Sequence, residues 1–397
     1  MQNVIIDKPY RFIPPCHSRL WPPILRLLVP RLLNKCYGIT GVECRGVEHL
    51  RESLGAGHGI LLTPNHCRES DPLVLGGLSA AVGRPFFLLA SWHLFMQGRL
   101  RAFLLRRAGA FSIYREGMDR AAIKAATDIL EQARRPLVIF PEGVLSRTND
   151  HLNALMDGTA LIARAAARRC AKLNPPRQVV VHPVAIRYHF RGDLQASLSP
   201  VLDRIESRLT WRPQRDLPLI ERVYKLGFTL LSLKEIEYLG QVSSDSIHDR
   251  LHRLIDHLLV PLEKEWLDGR RDDTTVARVK RLRAAILPDL VKGDIDEPER
   301  DRRWRHLADV YLAQQLAHYP PDYIRSDPTP DRLLETVERF EEDLTDVCTT
   351  HRPFTAAVHV APAIHVTPDI DDLMPQIEGQ LRQLLDIAQG EPTDVPA

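Results

Sequence analysis

The stretch GILLTPNHCRESDPLVLGG, residues 59–77, decides the fold. Its first half is the apolar run Ile60, Leu61 and Leu62, closed by Thr63, Pro64 and Asn65, which is the pattern of a buried strand that ends at a breaker. Its second half, DPLVLGG, opens a helix with an acid and a proline in the first positions. A strand that hands over to a helix in this way is one unit of a parallel sheet, and such sheets bind ligands where their strands end. His66 sits at that junction, with Asp71 five positions on. An imidazole there, its Nδ1–H held by a carboxylate and its Nε2 facing outward, has the tautomer and the basicity that a general base for an alcohol needs. In a chain with 16 histidines the same pair also reads as a hydrogen bond that starts a helix, with no chemistry attached.

Outward from this stretch the texture repeats. ITGVECR, RPFFLLA, AFSIYR, PLVIFPE and VVVHPVAIRYHF are β-rich, and DRAAIKAATDILEQA and NALMDGTALIARAAARR between them carry apolar positions at helical spacing. The alternation predicts an α/β domain over residues 39–190: a mixed, largely parallel sheet flanked by helices. From 191 to 353 helical patterns dominate, with Leu251, Leu254, Ile255, Leu258, Leu259 and Leu262 on one stripe. KGDIDEPERDRR reads as a solvated linker, and no internal repeat is evident. The β texture returns in AAVHVAPAIHV, at 356–366, ahead of a last helix. A lone strand after a helical stretch has no partners for its backbone groups unless an existing sheet supplies them. The helical stretch is therefore expected to be a large insertion between two strands of one sheet, with residues 354–390 returning to the α/β domain and 391–397 as a tail.

Residues 1–38 form a basic amphipathic segment in which Trp21, Ile24, Leu25, Leu28, Leu32 and Leu33 alternate with Arg19, Arg26, Arg31 and Lys35. Such a segment suits a membrane surface, although Pro30 is expected to break or kink its helix, and packing on the domain is the equal alternative. No apolar run is long enough to span a bilayer, and MQNVIIDKPY lacks the core of a signal peptide. A formal net charge of +2, with bases and acids interspersed, argues against a nucleic-acid partner. The six cysteines show neither C-x-x-C pairing nor metal-ligand spacing, which fits a reducing, cytoplasmic compartment and no bound metal.

Two further strand ends carry chemistry. AGAFSIYREG places Arg115 after a strand, and IFPEGVLSRTND places Glu142, Gly143 and Arg147 after another. A small turn residue lets backbone N–H groups approach an anion, and an arginine grips phosphate through its fork of donors. Taken with NHCRESD and VHPVAI, in this order, these blocks resemble the glycerolipid acyltransferase family, which acts on glycerol 3-phosphate and on lysophosphatidic acid. The resemblance covers roughly residues 19–190. It implies transfer of a fatty acyl group from acyl-CoA or acyl carrier protein, as co-substrate and not cofactor, to a hydroxyl of a lysophospholipid or glycerol-phosphate-like acceptor. It also implies His66 and Asp71 as catalytic residues, and Asn65, Arg115, Glu142, Gly143 and Arg147 as substrate-binding residues. One departure stands out: the third block reads VLSR where many members have T-R-S, so Leu145 takes the expected place of the arginine and Arg147 lies two positions later. Peripheral attachment to the cytoplasmic face of a membrane is expected from the basic amphipathic segment and the reducing compartment; the oligomeric state is left open. A lipid- or acyl-CoA-binding protein on this fold is an alternative. So is a thioesterase-type hydrolase, although no G-x-S-x-G elbow is present.

Overall fold

The computed structural model describes residues 8–18, 20–209, 212–320, 323–324 and 328–389; the expected tail lies outside them. The chain divides into two compact units. The described residues of 11–114, 119–192 and 350–397 form the first, and those of 1–10, 115–118 and 193–349 the second. Elements follow in the order α1 (Trp21–Tyr37), β1 (Ile39–Arg45), α2 (Val47–Gly55), β2 (Gly59–Pro64), α3 (Asp71–Ala81), β3 (Phe87–Ser91), α4 (Arg99–Ala108), β4 (Ala110–Ile113), α5 (Arg120–Gln132), β5 (Leu137–Val138), α6 (Gly158–Cys170) and β6 (Val179–Phe190). The helices α7 (Leu194–Arg208), α8 (Leu219–Leu239), α9 (Ile247–Leu267), α10 (Thr275–Lys292), α11 (Glu297–Leu316) and α12 (Pro330–Thr345) come next. The chain closes with β7 (Phe354–Val360), β8 (Ile364–Val366) and α13 (Leu373–Gln389).

Among the described residues, eight strands join one sheet, in the order β1-β7-β6-β2-β5-β3-β4, with β8 beside β6. From β6 to β4 every neighbour is parallel; β7 and β8 run antiparallel to β6, and β1 runs parallel to β7. Every residue of β2 is buried, as a strand covered on both faces requires. The returning chain does not edge the sheet: β7 is inserted between β1 and β6, with Val358 opposite Ile186.

Pro183 sits within β6, where its missing N–H would break a central ladder. The antiparallel partner is interrupted there instead. β7 stops at Val360, β8 resumes at Ile364, and the Ala361 N–H donates to the Pro183 carbonyl at 2.9 Å. The neighbouring side chain, His182, is fully buried. Its Nδ1 lies 2.9 Å from the Ala361 carbonyl, which only accepts, so Nδ1 carries the hydrogen and Nε2 accepts from the Ser53 hydroxyl, also at 2.9 Å. Burial, opposed by the Ala361 hydrogen bond and reinforced by His49, His58 and His365, lowers its pKa to about 4. The unfolded chain, with His182 at its ordinary 6.5, therefore binds more protons than the folded one between those values. Stability should fall as pH drops through that window, by about 3 kcal/mol at most from this group. Urea midpoints at about pH 7 and about pH 4.5 should show a smaller acid loss in His182→Gln than in the wild type. An equal loss would contradict the neutral buried imidazole.

The stripe on α9 is the core of the second unit: Leu254, Ile255, Leu258, Leu259 and Leu262 are buried, against Leu282, Ile286, Leu307 and Val310. KGDIDEPERDRR is not a linker beyond Asp296, whose carboxylate accepts from the Glu299 N–H and caps α11. A repeat that the sequence alone hides also emerges. Helices α8, α9 and α10 start at residues 219, 247 and 275, a constant 28-residue step, and carry Arg222, Arg250 and Arg278 at their fourth position. Each arginine reaches back to an acid near the end of the preceding helix: Arg222 to Glu206 (2.8 Å), Arg250 to Glu235 (2.7 Å) and Arg278 to Glu263 (2.6 Å). Arg303 to Asp289, at 2.9 Å, repeats the device from α11 to α10. Removing one member of a pair as deeply buried as Arg250 and Glu235 leaves an uncompensated charge, which typically costs about 3–5 kcal/mol.

Candidate active site

β2 and β5 are adjacent and parallel, so the residues that follow them emerge at one edge of the sheet. Asn65 extends the β2–β6 ladder past Pro64 with its side chain. Its Nδ2 donates to the Ile186 carbonyl at 2.9 Å, and its Oδ1 accepts from the Ile186 N–H at 2.6 Å. The next residue, His66, is held by its backbone at both ends: its N–H donates to Glu142 Oε1 at 2.7 Å, and its carbonyl accepts from the Ser146 N–H at 2.7 Å. Its ring stacks on Phe140, with centroids 4.0 Å apart, and Nδ1 lies 2.8 Å from Asp71 Oδ2. A carboxylate only accepts, so Nδ1 carries the hydrogen and the lone pair is on Nε2. Nε2 has no hydrogen-bond partner among the described residues, and the side chain is 20% exposed. The ring is thus fixed in position and tautomer with one nitrogen left for a ligand.

Asp71 is completely buried and fully engaged. Oδ2 also accepts the Arg68 N–H at 3.1 Å, and Oδ1 accepts the Tyr188 hydroxyl at 2.6 Å. Ser70 Oγ donates in turn to that hydroxyl at 3.0 Å. Burial, then Asp71 and Cys67, push the Tyr188 phenol well above its ordinary pKa, so it stays a donor to the carboxylate. The Cys67 thiol is buried 3.8 Å from Asp71 Oδ1. Tyr188 and Asn149 are the residues that sequence reasoning missed. Asn149 clamps the backbone of Tyr188 with its carboxamide, as Asn65 clamps Ile186. The one available signal was the strand period, which puts Val184, Ile186 and Tyr188 on the same face of β6.

The expected binding residues separate. Asn65 and Glu142 do not present their side chains to a ligand, because both are buried and bonded to backbone. Besides His66, Glu142 accepts the Asn153 N–H on Oε2 at 3.1 Å, and so ties the 142–153 loop to the NHCRESD loop. Burial raises its pKa to about 8, against those two backbone hydrogen bonds, with Asp71 adding to the rise. Gly143 has φ +70°, a conformation that favours glycine, and a Cβ there would also push against the Met156 side chain. Leu145, in the place of the expected arginine, is buried, and Arg147 takes a left-handed φ of 60° two residues on. Arg115 follows β4 but belongs to the second unit, where it is half-buried. Burial, then Arg283, lower its pKa, and Glu116 opposes them. No group of three or more His, Cys, Asp or Glu among the described residues is placed to hold a metal ion.

A histidine oriented by a buried carboxylate, at the strand-end edge of a largely parallel sheet, has a geometry that can take a proton from a hydroxyl or from water. The family model described as Acyltransferase matches residues 41–187, from within β1 to within β6, so this stretch is an acyltransferase domain of the glycerolipid acyltransferase family, and acyl transfer is its reaction class. No curated protein matches the chain.

Proposed function

We propose that the protein transfers a fatty acyl group from acyl-CoA or acyl carrier protein to a hydroxyl of a lysophospholipid or glycerol-phosphate-like acceptor. The observation that carries this reading is the 2.8 Å contact of His66 Nδ1 with the buried Asp71, which leaves Nε2 as the base. In the first step the acceptor O–H gives its proton to Nε2 as its oxygen attacks the thioester carbonyl. Asp71 stabilises the imidazolium so formed. The tetrahedral intermediate then collapses, the C–S bond breaks, and the departing thiolate takes the proton from Nε2. The amides of His66, Arg68, Gly143 and Ser146 are already engaged, so oxyanion donors must come from elsewhere in these loops.

Peripheral attachment to the cytoplasmic face of a membrane belongs to the same reading. No helix of the described residues is long and apolar enough to cross a bilayer. α1 nonetheless runs unbroken through Pro30 with Ile24, Leu27, Leu28 and Leu32 exposed among its arginines. Trp21 meets Phe103 of α4 edge-on, 5.4 Å between ring centroids, and Leu100, Phe103 and Leu104 continue the exposed apolar face. Apolar side chains rimmed by cations suit an anionic lipid surface. The test is incubation with labelled acyl-CoA and a panel of lysophospholipids, with glycerol 3-phosphate, in anionic vesicles. One acylated lipid, with the protein sedimenting with the vesicles at low salt, is the expected result. Free fatty acid without acylated lipid would favour a thioesterase, and no product a binding protein.

A further inference from the structure

Helix α9 carries two histidines that the acyl-transfer reading leaves unused. His248 and His252 are four residues apart near its start, so they lie on one face of the helix. Both residues are exposed, and their rings meet with centroids 4.3 Å apart and planes at 67°. Among the described residues neither ring makes a hydrogen bond or an ion pair. The carboxylates nearest in sequence are engaged elsewhere: Asp245 with Ser243 and Arg253, Asp249 with Ser246, and Asp256 with Arg271 and Arg278. The pair is also confined to this helix. At the same positions of the 28-residue repeat α8 has Ile220 and Tyr224, and α10 has Val276 and Lys280. The packing of the repeat therefore does not call for an imidazole at either position.

We propose that His248 and His252 form a two-point site on α9 for a divalent transition metal ion that prefers imidazole ligands. Neutral imidazoles four apart on a helix can turn one nitrogen each toward the same ion. With metal–nitrogen bonds of about 2.0–2.1 Å, the ring centres lie about 3.2 Å from the ion. Centroids 4.3 Å apart then correspond to a nitrogen–metal–nitrogen angle of about 85°, close to that between neighbouring ligands of an octahedral or tetragonal ion. A tetrahedral ion needs the centres about 5 Å apart, so the pair suits Ni²⁺ or Cu²⁺ better than Zn²⁺. No third His, Cys, Asp or Glu among the described residues joins the pair, so water completes the coordination. The ion would tie together the first two turns of α9. Between the two histidines lies Arg250, which is buried and pairs with Glu235 of α8 at 2.7 Å. The unfolded chain does not hold the two rings together, so the metal stabilises the folded helix by linkage. The site stands whether or not the protein transfers acyl groups.

Calorimetric titration of the full chain with Ni²⁺ alone tests the site, with Mg²⁺ as the hard-cation control. The wild type should show a one-ion step with Ni²⁺ that Mg²⁺ does not reproduce. His248→Ala and His252→Ala should each weaken that step at least about tenfold, with unchanged circular dichroism. His257→Ala should leave it as it is, because His257 is exposed on the same helix but five residues past His252 and off its face. Ni²⁺ should also raise the thermal midpoint more in the wild type than in either alanine variant, and a chelator should reverse the difference. A step that both variants keep, or that only one of them loses, overturns the paired site. So does a step that Mg²⁺ or His257→Ala affects equally, or the lack of any one-ion step in the wild type.

Discussion

Replacing His66 with alanine should lower acyl transfer by about 10²–10⁴-fold, the usual worth of a positioned general base, with little change in thermal stability. The backbone of His66, not its ring, carries the contacts to Glu142 and Ser146, and alanine keeps both. Asp71→Asn should cost nearly as much for a different reason. An asparagine that keeps Oδ1 toward the Tyr188 hydroxyl turns its amide nitrogen toward His66 Nδ1. The imidazole then must accept at Nδ1 and carry its hydrogen on Nε2, the wrong tautomer for a base. Asp71→Ala is the poorer test, because it also strands the buried Tyr188 hydroxyl. Tyr188→Phe should fall between wild type and Asp71→Asn, with its effect on kcat and on the pH profile instead of KM, since Tyr188 acts through Asp71. Initial rates with saturating acyl donor measure all three. Full activity in a folded His66→Ala protein would remove His66 as the base.

Legibility in the sequence followed distance along the chain. His66 and Asp71 are five residues apart, and the strand before them and the helix after them lie in one window, so their geometry was readable. The hydrogen bond from Tyr188 to Asp71 spans 117 residues and that from Asn65 to Ile186 spans 121, and no local pattern encodes either. Glu142 shows the same limit. A carboxylate after a strand reads as a binding group until the backbone amides of His66 and Asn153 are seen to occupy it. The 28-residue repeat escaped notice because it keeps few identities: the arginine at the fourth helical position, the leucines Leu226, Leu254 and Leu282, and the acids Glu235 and Glu263. Charge density misread the start of α11, where Asp296, Pro298 and Glu299 compose a helix cap. Of the break or kink expected at Pro30, the break does not occur, and α1 continues through it to Tyr37.

A chain ending at residue 353 should lose the cooperative fold of the sheet-bearing unit, although every residue of the NHCRESD, YREG and PEG blocks remains. The reason lies in the strand order. Among the described residues β1 pairs only with β7, and β6 has β7 and β8 along the edge opposite β2, so the truncation strips β1 of that partner and opens that edge of β6 to water. It also removes Val358, Val360, Ile364, Val366, Leu373, Ile377, Leu381 and Leu385, each at most 5% exposed. At about 1.5–3 kcal/mol for each large apolar side chain buried, their loss outweighs the net stability of about 5–15 kcal/mol that a domain has. Arg187 further loses the Leu385 carbonyl that its Nη1 donates to at 3.2 Å. The Ile186 and Tyr188 backbone that Asn65 and Asn149 clamp belongs to the same β6 segment, so the mounting of His66 and Asp71 should fail together with the sheet. Differential scanning calorimetry of residues 1–353 beside the full chain, with acyl transfer measured on both, checks the claim. The fragment should show no cooperative transition assignable to the sheet and no transfer. A fragment that melts within a few degrees of the full chain, or that retains activity, would mean that the returning strand is an ornament on a sheet stable without it.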